Sequence, residues 1–172
     1  MKPVFLVFCE GETEEIYLDF IRKTFRSPIK IISKVEGSDI SSKLVNSRKK
    51  ELKISPAEQI RVFLMYDMDV PAVTDKLFEC QAEMLLSNPC LEIWYLLHCK
   101  DQRGSVTSEK TIIALKAAGG VWAKYEKASL TETQKAFLRD NLDIAVSRAK
   151  SLIMPNNPST GIYKLIEALK ES

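Results

Sequence analysis

The residues Pro3-Val4-Phe5-Leu6-Val7-Phe8-Cys9 form an unbroken apolar run of strand length. A strand with no polar alternation is buried on both faces, and that environment is the interior of a parallel sheet with helices above and below. Directly behind it come Glu10-Gly11-Glu12-Thr13, and then Ile16, Tyr17, Phe20, Ile21 and Thr24 recur at helical spacing. Glu14, Glu15, Asp19 and Lys23 take the opposite side of that helix. The chain therefore opens as strand, tight acidic turn, helix.

The same alternation continues. Ile29 to Val35 reads as a second strand, Glu36-Gly37-Ser38-Asp39 as a turn, and Ile40 to Lys53 as an amphipathic helix ending before Pro56. Ile60 to Tyr66 is a third apolar strand that runs straight into Asp67-Met68-Asp69. Ala72 to Cys80 makes a short helix and Ala82 to Leu86 a fourth strand, stopped by Ser87-Asn88-Pro89. Cys90 to Cys99 carries a single acid, Glu92, in an otherwise apolar stretch that the preceding start signal assigns to a buried helix. The rest reads as helical: Ser108 to Ala118, a Gly119-Gly120 break, Thr131 to Ile153, a stop at Pro155, and Ser159 to Lys170. The expected fold is α/β, a small parallel sheet of about four strands covered by helices on both faces, with a helical C-terminal half. Residues 1–172 are expected to form a single domain.

Composition narrows the partners. Lys plus Arg number 25 and Asp plus Glu 23, a net charge of +2, so any polyanion site must be local. No apolar run reaches the roughly 18 residues of a membrane span. Cys9, Cys80, Cys90 and Cys99 show no paired spacing and His98 is the sole histidine, a poor set for structural zinc. Cys9 and Cys90 lie among apolar neighbours and read as core thiols in a reducing, cytoplasmic compartment; His98 reads as a helix-end or half-buried histidine.

In an open parallel sheet the working crevice lies at the carboxyl ends of the strands. Glu10 closes the first strand there, and Asp67 and Asp69 close the third. Side chains alternate along a strand, so Asp67 and Asp69 share a side while Met68 turns to the core. Three converging carboxylates repel one another unless a cation or raised pKa values relieve them, and hard oxygen ligands suit Mg²⁺ or Mn²⁺. A phosphate approaches such an acidic turn only with a metal between. The other reading of Asp67 and Asp69 is a turn or helix cap before Pro71, and Glu12 and Glu15 read as acids complementing a helix dipole.

Strand-Glu10-Gly11-x-x-Glu14 followed by strand-Asp67-x-Asp69 resembles the Toprim pattern. The blocks Cys9-Glu10-Gly11-Glu12-Thr13-Glu14, Ser87-Asn88-Pro89-Cys90-Leu91-Glu92-Ile93-Trp94-Tyr95-Leu96-Leu97-His98 and Asn157-Pro158-Ser159-Thr160 resemble the RloB family, whose members are associated with prokaryotic restriction and abortive-infection loci. The resemblance spans nearly the whole chain. It implies a Toprim-like fold, related to the OLD-type nucleases, that holds a divalent metal and acts on phosphodiesters of DNA or RNA, alone or with a partner protein of a defence operon. By that resemblance Glu10 is a general acid or base or a metal ligand, Asp67 and Asp69 are metal ligands, and Glu14 ligates a second ion. Asp69 is followed by Val70-Pro71 rather than a third acid, a departure from a full two-metal pattern.

Residue chemistry leaves other assignments open. Glu92, costly to bury alone, is either a further metal ligand or the partner of an arginine. Asn88-Pro89 and Asn157-Pro158-Ser159-Thr160 sit at expected helix starts, where such side chains cap free amides. For a polyanion the candidates are Arg48, Lys49, Lys50 and Lys53, with Lys135, Arg139, Arg148 and Lys150, although charges along a helix usually form a solvated face.

Overall fold

The structure, a computed structural model, describes residues 3–26, 30–55 and 58–171. The apolar opening run forms β1 (Val4–Cys9), and every one of its residues is buried. It lies between β2 (Lys30–Val35) and β3 (Ile60–Met65), parallel to both, with Val4 opposite Lys30 on one side and Ile60 on the other. β4 (Glu83–Met84) adds to the far side of β3 in parallel, giving the order β2-β1-β3-β4. Central placement is what a two-sided apolar strand requires. Expected elements that reach Ile29 and Pro56 extend there beyond the described residues.

Alternation along the strands builds two cores. Phe5, Val7 and Cys9 of β1 join Phe63 and Met65 of β3 beneath α1 (Glu12–Thr24) and α4 (Glu92–Cys99). Leu6 and Phe8 join Val62 and Leu64 on the other face, under α2 (Ser42–Glu51) and α3 (Pro71–Phe78). The helical C-terminal half, α5 (Ser108–Ala117), α6 (Glu132–Asp140), α7 (Leu142–Lys150) and α8 (Tyr163–Lys170), supplies Leu115, Leu138, Ala145, Leu165 and Ile166 to the first core. No helix among the described residues is long and apolar enough to cross a membrane.

Three expectations need correction. The single helix Thr131 to Ile153 is two helices, because Asn141 leaves helical geometry at φ −110°, ψ 15° and its side-chain amide donates to the Phe137 carbonyl at 3.0 Å. Asn88-Pro89 caps no helix, and of the 157–160 block only Thr160 serves a helix start, its Oγ1 accepting from the Ile162 N–H at 3.3 Å just before α8. Ser87–Asn88 (β5) and Ser159–Thr160 (β6) instead pair antiparallel as a small second sheet, with Ser87 Oγ and Thr160 Oγ1 2.8 Å apart. Asn157 clamps Val106 by accepting from its N–H at 3.0 Å and donating to its carbonyl at 2.7 Å. Finally, His98 sits in the last turn of α4, at a helix end as expected, but it is fully rather than half-buried, at 2 % exposure. Its Nδ1 lies 2.7 Å from the Trp94 carbonyl, and burial pulls its pKa down to about 4. The four cysteines are free, and Cys9 and Cys90 are buried as core thiols.

The chain past β4 continues along β3. Leu85 N–H donates to the Leu64 carbonyl, Ser87 N–H to Tyr66 and Met68 N–H to Ser87, so the backbone ladder is carried to Asp67. Gly161 locks this segment from behind: its N–H donates to the Leu86 carbonyl at 2.7 Å, and a Cβ there would stand 3.1 Å from the Met84 carbonyl oxygen.

Candidate metal centre

Parallel pairing places the carboxyl ends of β1 and β3 side by side, Cys9 opposite Met65. Glu10 follows the first strand and Asp67 the second, so both acids come from the sheet rather than from a mobile loop. Ligand oxygens of Glu10, Asp67 and Asp69 lie within 4.8 Å of one another. Asp67 is buried, Glu10 half-buried and Asp69 exposed. Met68, between the two aspartates, packs on the opposite core.

Glu14 and Glu92 enclose the same cleft from α1 and α4. Together with Glu10, Gly11, Asp67 and Lys127 they line a volume of about 160 Å³. Glu14 Oε2 accepts from the Gly11 N–H at 3.0 Å, which both closes the first turn of α1 and fixes the carboxylate at the cleft. Glu92 is 1 % exposed, and neither carboxylate oxygen has a hydrogen bond. Lys127 Nζ stands 3.6 Å from Glu92 Oε1, near enough for charge attraction and too far for a hydrogen bond. The partner of Glu92 is thus a lysine, not an arginine. The Tyr125 hydroxyl, buried without a partner of its own, also lies near enough to favour the ionised Glu92.

Crowding has the electrostatic consequence expected of it. Burial, then the charges of Glu14 and Asp69, pushes Glu10 up to about 7. Burial, then Glu14, Glu10, Glu92 and Asp69, pushes Asp67 up to about 9. Glu14 and Glu92 are also raised, burial being the first cause in each. Desolvation pulls on Lys127, but the surrounding acids hold it above its ordinary value. One ammonium among five carboxylates leaves the cleft strongly electronegative.

The donor set fits a hard divalent cation. All the converging groups are carboxylate oxygens, and the Glu92 oxygens are buried with their hydrogen-bonding capacity unused. Around an octahedral Mg²⁺ at about 2.1 Å, ligand oxygens lie no more than about 4.2 Å apart. The observed spread of 4.8 Å therefore closes with a small side-chain adjustment, which the exposed Asp69 permits.

Other candidates lie elsewhere. Arg48 on α2 is held by Glu36 at 2.7 Å and Glu51 at 2.8 Å, and Lys49 and Lys50 line shallow depressions on the same helix, away from the acidic cleft. Arg148 donates to the Leu97 carbonyl at 2.7 Å, Lys150 pairs with Glu167 at 3.0 Å, and Lys135 and Arg139 lie on α6. Sequence reasoning did not find Lys127. It sits in an irregular turn, followed by Ala128 at φ 56°, where no periodicity or spacing marks a side chain.

The chain matches the profile of the RloB-like protein family over residues 5–169. No curated protein and no solved structure matches it. The matched span takes in both sheets, the acidic cleft and the helical half, and the chain belongs to the RloB-like family.

Proposed function

We propose that this chain is a metal-dependent phosphodiester hydrolase of Toprim type, a nuclease acting on DNA or RNA in prokaryotic defence against phage. The observation that carries the reading is the convergence of Glu10, Asp67 and Asp69 at adjoining strand ends. Asp67 and Asp69 would hold Mg²⁺ or Mn²⁺ with Glu10, and Glu14 and Glu92 deepen the negative field that attracts the cation. Such an ion supplies charge neutralisation for the phosphate and acidifies a bound water. Glu10, half-buried at the end of β1 beside the metal-holding aspartates, accepts the proton of the attacking water. Lys127, its side chain 58 % exposed at the cleft, offers an ammonium to a phosphate oxygen.

The deciding experiment is cleavage of labelled DNA and RNA by the purified chain with Mg²⁺, Mn²⁺ or chelator, beside Asp67→Asn. Metal-dependent cleavage lost in the variant is the expected result; equal cleavage by folded Asp67→Asn would overturn the mechanism. A second reading, a non-catalytic metal- or nucleic-acid-binding module that regulates a partner protein, is favoured by one observation: Arg48 of α2 is engaged by Glu36 and Glu51 rather than free for phosphates. That reading predicts an inactive chain whose effect appears only with the partner.

A further inference from the structure

A second charged cavity lies at the opposite end of α1. It measures about 290 Å³ and is lined by Lys23, Arg26, Lys135 and Arg139, with Phe20 at its base and one acid, Glu132, at its rim. Several basic residues elsewhere are matched to acids, Arg48 to Glu36 and Glu51, Arg61 to Glu83 and Arg103 to Asp101 among them, while other lysines stand exposed on the surface. Among the described residues Lys23, Arg26 and Arg139 have no carboxylate within ion-pair distance, and Lys135 has only the largely solvated Glu132 at 3.2 Å. The nearby Asp19 is engaged by Arg22. Arg139 is held over the Phe20 ring, its guanidinium carbon 6.0 Å from the centroid, which leaves the nitrogen edges available.

Four cations gathered around a concave volume repel one another, and in a chain with a net charge of only +2 they are not a by-product of overall basicity. A phosphate group relieves that repulsion and accepts from both lysine and arginine donors. The position is informative as well. Twelve residue steps along α1, from Glu12 at the acidic cleft to Thr24 at this cavity, span about 18 Å. That distance is well beyond the separation of two adjacent phosphates on one strand, so a strand spanning both sites meets them with phosphates several positions apart.

We infer that the cavity formed by Lys23, Arg26, Lys135 and Arg139 binds a backbone phosphate of a nucleic-acid strand, several nucleotides along from the phosphodiester at the acidic cleft. The inference rests on the nuclease reading for its second anchor point, while the phosphate site itself does not require cleavage. A free nucleotide offers the same phosphate chemistry, and strand length separates the two sources: a polymer spans both sites and a mononucleotide reaches one.

The test measures anisotropy of labelled oligonucleotides of 3 and 12 nucleotides with cleavage-resistant phosphorothioate linkages, with a mononucleotide as competitor, in Mg²⁺ so that a strand can enter the acidic cleft without being cut. Wild type is compared with Lys23→Gln/Arg139→Gln, with the charge-retaining Arg139→Lys, and with Asp67→Asn; all the altered cationic positions are exposed, and melting curves confirm folding. The expected result is that the 12-mer binds more tightly than the 3-mer. The double variant should weaken 12-mer binding about tenfold near 0.1 M salt and lower the salt slope by about 1.4, or 0.7 per lost contact on a single strand. Arg139→Lys should retain most of the affinity. Equal 12-mer binding by wild type and the double variant, or no oligonucleotide binding by wild type, would overturn the inference; mononucleotide competition as strong as that of the 12-mer would overturn its polymer assignment. Mn²⁺-dependent cleavage is measured separately. Cleavage that depends on Asp67 but is accompanied by unchanged binding in the double variant rejects only the phosphate site, and binding without cleavage rejects only the nuclease reading.

Discussion

Lys127 Nζ lies 3.6 Å from Glu92 Oε1 and is, among the described residues, the one cation facing a carboxylate buried among four other acids. The pair joins an irregular turn to the first residue of α4, so it is both a structural tie and a local charge balance. Truncating one side of a buried charge pair leaves the other charge uncompensated. Lys127→Met should lower stability by about 1–2 kcal/mol, below the usual cost of breaking a buried pair because the lysine is more than half exposed. Glu92→Gln in the same background should recover part of that loss. Denaturant titration of the two single variants and the double checks this, and strictly additive losses would contradict the coupling.

The raised carboxyl pKa values set a pH dependence. Asp67 moves from an ordinary 3.8 to about 9 and Glu10 from 4.5 to about 7 on folding. The folded state thus holds protons that the unfolded chain has released, and stability falls as pH rises through that window. Without metal, the melting temperature should decline from about pH 5 to pH 9, and Asp67→Asn should flatten the decline. Divalent ions favour the ionised carboxylates, so the stabilisation by Mn²⁺ should grow with pH, as thermal shifts at matched ionic strength will show.

Asn157→Ala removes both hydrogen bonds to Val106 and leaves the N–H and the carbonyl of this half-buried residue short of partners. A loss of about 2 kcal/mol is expected in equilibrium unfolding. Metal binding at the cleft should persist, because the clamp touches none of the five acids.

Gly161→Ala should be destabilising by about 1–3 kcal/mol, because the new methyl meets the Met84 carbonyl oxygen at 3.1 Å and the neighbouring backbone is bound into the β3 ladder. Chemical denaturation compared with an Ala substitution at exposed Gly104 provides the control.

The sheet was legible because its signal is local: an apolar run such as Val4–Cys9 can be satisfied only by burial on two faces. Glu10 and Asp67 were legible for the same reason, since each directly follows such a run, and Asp69 lies two residues beyond Asp67 on the same side of the strand. Asn141 was not. The apolar stripe continues through Leu138, Ala145 and Ala149, and only the side-chain competition of one asparagine for the Phe137 carbonyl divides the helix. The β5–β6 pairing joins residues 71 and 73 positions apart, and Asn and Ser beside a proline serve a helix cap and a strand end equally well in sequence. Lys127 reaches the cleft through tertiary packing of an irregular turn, which leaves no pattern in the residues around it.

The central claim, that the ends of β1 and β3 gather carboxylates around one divalent cation, is tested most directly by counting Mn²⁺ bound to the folded chain by electron paramagnetic resonance. Binding by wild type that is abolished in Asp67→Asn and weakened in Glu10→Gln is the predicted result. Equal Mn²⁺ uptake by wild type and folded Asp67→Asn, or none by wild type, would contradict it.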